Sequence, residues 1–174
     1  MPNLNIAIRC SLSAAVSYGV FVGMDWITDA GIPETVALLI PGIGFYLALD
    51  PATGRPSSLL RRVTMAIVVR GGWYLAYQSA LAIEKPLYLA GAMSGAVGGA
   101  ALFMALLTAY QRRAARDAVV LIAAGAAIGA MCLPAGFLFG ATDDLHYLFL
   151  TFGPWQIGMG LIIARLMQDR SPAR

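Results

Sequence analysis

Apolar residues along this chain come in long unbroken runs, with none of the one-face periodicity of a soluble amphipathic helix or strand. Each run is close to the ~20 residues that a helix needs to cross a bilayer. The pattern predicts six spanning helices at about 5–24, 33–49, 63–83, 87–109, 118–139 and 146–167. The second run is the shortest and holds Pro41, Gly42 and Gly44, so a regular helix is least secure there. The expected fold class is an all-α integral membrane protein, one six-helix transmembrane domain over 1–174.

Polar residues between the runs alternate in sign. The first connection carries Asp25, Asp29 and Glu34, the second Arg55, Arg61 and Arg62. The third is the tight turn Glu84-Lys85-Pro86, and the fourth holds Arg112, Arg113 and Arg116. Asp143 and Asp144 follow in the fifth, and Arg165, Arg170 and Arg174 lie at the end. With the N-terminus in the cytoplasm, ten of the 12 Lys and Arg residues fall inside, leaving only Lys85 outside and Arg70 within a span. The positive-inside rule selects this orientation: a multi-pass protein of a bacterial inner membrane with both termini cytoplasmic. Trp26, Tyr88 and Tyr147 fall near the outer ends, where interfacial aromatics gather.

Composition narrows the class further. The 174 residues are 59% hydrophobic and 12% charged, against a usual charged share of about 25%. A soluble domain of this size cannot hide that much apolar surface. The net charge of +3 lacks the basic stripe or recognition motif of a nucleic-acid binder, so none is expected as partner. Cys10 and Cys132 sit alone in apolar runs and read as small buried residues. No cleavable signal peptide is evident at the first run, which has Arg9 at its start.

Small residues suggest how the helices pack. Gly91, Gly95 and Gly99 recur at four-residue spacing, beside Ala92, Ala96 and Ala100, and Gly125 and Gly129 do the same in the fifth run. Such faces let helices approach closely. Packing within one bundle is the favoured reading; the other is an interface through Gly91, Gly95 and Gly99 with a second copy or a membrane partner subunit. Breaks recur as well: Pro41-Gly42 in the second run and Pro134 in the fifth, Gly71-Gly72-Trp73 in the third and Gly153-Pro154-Trp155 in the sixth. They raise an inverted 3+3 repeat, the architecture of many transporters. Chance recurrence of residues common in membrane helices is the stronger reading.

Arg70 is the sharpest single feature. It lies about seven residues into its span, or ~10 Å from the cytoplasmic edge. Trp73, Tyr74 and Tyr77 stand at i+3, i+4 and i+7, on one helical face, with Gln78 close by. A guanidinium among aromatics can pair with a carboxylate or phosphate while the rings hold an apolar body. The competing reading is that Arg70 snorkels toward the headgroups. Gln156, beside Trp155 near the middle of the sixth run, needs hydrogen-bond partners and either faces the same cavity as Arg70 or ties two helices together. The candidate substrate-binding set is thus Arg70, Trp73, Tyr74, Tyr77, Gln78, Trp155 and Gln156. Arg9 and Arg165 read as snorkelling.

Catalytic and cofactor patterns are absent. His146, next to Asp143 and Asp144, reads as part of a solvated acidic loop rather than a metal site, and a single His excludes bis-histidine haem. Lys85, in a turn, argues against a Schiff base in the helix core. No zinc-protease, nucleophile-elbow or phosphate-loop motif occurs. An enzyme is therefore the less favoured class. The size and the six-helix, both-ends-in layout resemble the substrate-binding subunits of vitamin uptake systems, a resemblance of architecture that lends no residues to a site. The leading expectation is a small transporter or substrate-binding membrane subunit for a small organic anion, in contact with lipid and without metal or cofactor. The alternatives are a non-catalytic subunit of a larger membrane complex and a lipid-modifying enzyme using Asp25, Asp29 or His146.

Overall fold

The computed structural model describes residues 2–33, 45, 58–83, 86–110, 115–138 and 144–168. Among them the chain is helical and contains no strand. The helices are α1 (Pro2–Val22), α2 (Met24–Asp29), α3 (Leu59–Leu81), α4 (Leu87–Tyr110), α5 (Ala115–Leu138) and α6 (Asp144–Gln168). The second predicted run, apart from Pro33 and Phe45, lies outside the described residues, with the 50–56 loop, Glu84, Lys85, Arg112, Arg113, Asp143, Arg170 and Arg174. So do the side chains of Asp25, Arg61, Arg62, His146 and Tyr147.

Five long helices lie where apolar runs predict them, but α1, α3, α5 and α6 begin two to four residues earlier than expected. Hydropathy marks where side chains turn apolar. Backbone hydrogen bonding continues past that point, because the first turn of a helix tolerates charges such as Asp117, near the positive end of the helix dipole. Two helical segments, Leu87–Thr108 and Ala115–Ala135, are long and apolar enough to cross a membrane, with mean hydropathies of 1.7 and 2.2. The other long helices have the length, at 21, 23 and 25 residues. Polar residues dilute them: Arg9 and several serines in α1, Arg61, Arg62 and Arg70 in α3, His146 and Gln156 in α6.

One helix is new relative to the sequence reading. The acidic connection after α1 folds into α2, reached almost without interruption: the Gly23 amide donates to the Gly19 carbonyl and Ile27 to Gly23, both at 2.9 Å. Gly31 stops it. Its φ of 83° is left-handed, its amide donates to Thr28 at 2.9 Å, and the Ile32 amide reaches back to Ile27 at 3.2 Å. This is the paired hydrogen bonding of a Schellman cap, which glycine favours. A Cβ at Gly31 meets nothing within 4 Å, so only backbone strain opposes a side chain there. Gly31→Ala is expected to cost about 1 kcal/mol, read as a small fall in thermal midpoint with the fold retained.

Packing runs in the order α3–α4–α5–α6–α1, with α4 between α3 and α5. The α4–α5 contact is antiparallel and rests on glycine. A Cβ added at Gly91 would run into the Gly129 carbonyl, one at Gly95 into Gly125, and one at Gly99 into Leu121. The reverse additions at Gly125 and Gly129 collide with Gly95 and Gly91. The backbones therefore touch directly, where dispersion and weak Cα–H···O contacts accumulate. The Gly91-Gly95-Gly99 face, weighed above as a surface for a second copy or partner subunit, is filled by α5 of the same chain. A similar close approach joins α3 to α4, where Gly72 faces Ala101.

Pro134 and Pro154 lie inside continuous helices, α5 and α6. The expected breaks at these prolines are therefore not interruptions of the helix. Each proline removes one backbone N–H and leaves a carbonyl one turn earlier without its usual partner. Within packed helices, neighbouring groups and small local adjustments absorb this loss. The Pro41-Gly42 break lies outside the described residues.

Candidate functional site

A cleft, partly open to the outside, lies between α3, α4, α5 and α6; its empty space of about 620 Å3 includes open solvent. Its walls are mostly apolar. Val69, Gly72, Trp73 and Ala76 come from α3, and Gly91, Ser94, Gly95, Gly98, Ala101 and Leu102 from α4. Gly129 and Leu133 come from α5, Trp155 and Gln156 from α6, and Phe45 completes the lining. A few polar groups on apolar walls are usual for small-molecule sites.

Trp155 shapes this space. Gly98 leaves room for its indole: a Cβ there would stand 2.7 Å from the ring. The ring nitrogen donates to the Gly125 carbonyl at 3.3 Å, which pins the indole across α4 and α5. Phe45 packs obliquely against it, with centroids 6.2 Å apart and planes at 52°. Gln156, the next residue, is 3% exposed, and its Oε1 is buried without a hydrogen-bond partner among the described residues.

Arg70 lies beside the cavity rather than on its wall. It is the central residue of the 23-residue α3. Its guanidinium carbon sits 5.1 Å from the Trp73 ring centroid and 5.9 Å from that of Tyr74. Trp73 in turn stacks on Tyr77, with centroids 5.9 Å apart and planes at 4°. The face expected from the i+3, i+4, i+7 spacing is thus present as a chain of contacts. Aromatic faces offer a guanidinium about 0.5–2 kcal/mol, but they accept no conventional hydrogen bond. Nε and Nη1 of Arg70 are buried with no acceptor among the described residues.

The sequence-based set therefore divides. Trp73, Trp155 and Gln156 line the cavity; Arg70, Tyr74, Tyr77 and Gln78 do not. Tyr74 is half exposed, Gln78 exposed and Tyr77 partly buried against Trp73. Trp73 belongs to both groups and joins the arginine to the cavity. Arg9 and Arg165 are exposed. No group of three or more His, Cys, Asp or Glu able to hold a metal occurs among the described residues.

Sequence reasoning missed the glycine walls. Gly91, Gly95 and Gly129 were legible as packing faces, yet the same missing side chains also border the cavity. It also missed Asp117, which is 1% exposed in the first turn of α5 and engaged in an interaction there. Its signal was a carboxylate directly following Arg116 at a helix start. No protein-family model matches the chain, and neither a curated protein nor a solved structure does, so its function is argued from its own residues.

Proposed function

We propose that the chain is a six-span protein of a bacterial inner membrane, with both termini cytoplasmic, and that its cavity binds a small organic anion as a transporter or the substrate-binding subunit of one. Two features support the membrane setting beyond the arginine pattern. The most apolar helical segment, Ala115–Ala135, has only 22% of its most apolar stretch buried, the reverse of a soluble core helix. Large apolar side chains also point outward on other helices, among them Leu12 and Val16 on α1, Ile67 on α3 and Met104 on α4. Hydrocarbon around the bundle makes that arrangement favourable.

The observation that carries the ligand reading is Arg70. It lies eight residues, or ~12 Å, along α3 from Arg62, inside a hydrocarbon layer about 30 Å thick. That depth agrees with the sequence estimate, and the ligand reading rests on the burial of the Arg70 Nε and Nη1. A cation held there with two buried guanidinium nitrogens that have no acceptor among the described residues fits a site for an incoming carboxylate or phosphate. The cavity next to Trp73 supplies space for the ligand's apolar body. An inverted 3+3 repeat remains compatible with this layout through the paired Gly-x-Trp segments.

The test is direct binding of a panel of aryl and alkyl carboxylates to the purified chain in lipid nanodiscs, each paired with its neutral amide. Binding of at least one carboxylate, with its amide silent, is expected. Equal binding of acids and amides, or binding of neither, overturns the proposal.

A further inference from the structure

The geometry points to a second recognition element in the same cavity: the ligand carries an O–H or N–H on its apolar body, which Gln156 accepts. This rests on the anion-binding reading and specifies its substrate class: a ring-bearing carboxylate with a hydroxyl or amide N–H away from its acid group.

Gln156 is 3% exposed, stands on the cavity wall, and has its Oε1 buried without a partner among the described residues. An amide oxygen accepts and does not donate, so its complement is a donor. The neighbouring Trp155 N–H is committed to Gly125 and faces a different acceptor. Ser94, 8% exposed, adds a hydroxyl to the same lining. The remaining walls suit a flat apolar body: Phe45 and the indoles of Trp73 and Trp155 offer ring surfaces, while Leu102 and Leu133 close the sides. Arg70, joined to the cavity through Trp73, takes the negative end. A buried acceptor built to meet a donor rejects an analogue that lacks one, because binding the analogue leaves that acceptor without water or partner.

The experiment compares 3-phenylpropanoate with its three ring-hydroxylated isomers and with 3-(4-methoxyphenyl)propanoate, using the full chain in nanodiscs. At least one hydroxylated isomer is expected to bind about tenfold or more tighter than the parent, and the methoxy compound to gain nothing. In Gln156→Leu the ratio of hydroxylated to parent affinity is expected to fall to about one. Gln156→Met, closer in shape, serves if the leucine variant does not fold. Equal affinity for all hydroxylated and unsubstituted acids in the unmodified protein overturns the inference while leaving anion binding intact. A preference that persists in both variants overturns it as well. Failure of every acid to bind overturns the anion reading, and this inference with it.

Discussion

Gly95→Leu is expected to prevent α4 and α5 from packing and to leave little folded protein. A Cβ at this position already collides with the Gly125 carbonyl oxygen, and lies 2.7 Å from its carbon and 3.2 Å from the Gly129 Cα. All three obstacles are backbone, so no rotamer change relieves them. Overpacking where side chains can adjust costs about 1–3 kcal/mol, and here the helices themselves must separate. Separation also loses the contacts at Gly91–Gly129 and Gly99–Leu121, since the three pairs share one interface. Gly19→Ala is the control: nothing lies within 4 Å of its Cβ, and alanine has the better helix propensity by up to about 1 kcal/mol. Thermal unfolding followed by size-exclusion chromatography in mild detergent separates the cases. A Gly95→Leu midpoint within a few degrees of the parent contradicts the described α4–α5 contact.

Arg70→Met is expected to abolish anion binding while raising the stability of the ligand-free protein. Hydrogen bonds to charged groups contribute about 1.5–3 kcal/mol, which corresponds to roughly 10- to 150-fold in affinity. The free protein responds in the opposite sense. Two guanidinium nitrogens are buried with no acceptor among the described residues, and replacing an unsatisfied buried cation by an apolar side chain of similar length removes a desolvation cost. Arg70→Lys keeps the charge but loses the planar fork, so affinity falls while some binding survives. The opposed signs distinguish a ligand site from a structural arginine: a structural role predicts lower stability in Arg70→Met. Unchanged affinity in this variant removes Arg70 from the site.

The helices were largely legible because apolar runs of membrane length leave few alternatives. Leu87–Tyr110 and Ala115–Leu138 match the expected runs within a few residues, and the glycine spacing foretold which faces meet. The cavity was not legible in the same way. Its walls come from four helices and Phe45, and nothing local to Gly98 says that an indole fifty-odd residues away will fill the space above it. Arg70 stood out because a lone cation in an apolar run is costly wherever it points. Its place beside the cavity rather than on its wall depends on helix rotation, which small-residue contacts such as Gly72 against Ala101 set. Asp117 and α2 were hidden for a related reason: both lie at run boundaries, where hydropathy changes too slowly to separate helix from loop.

Everything functional in this account depends on hydrocarbon surrounding the bundle, with the arginine-rich connections on one side of it. Labelling with a membrane-impermeant thiol reagent, in intact cells and after permeabilisation, tests this most directly. The background is Cys10→Ala with Cys132→Ala, and the probes are Ala114→Cys and Thr142→Cys. The account predicts that position 142 is labelled in intact cells and position 114 only after permeabilisation. Labelling of both positions under the same condition contradicts it.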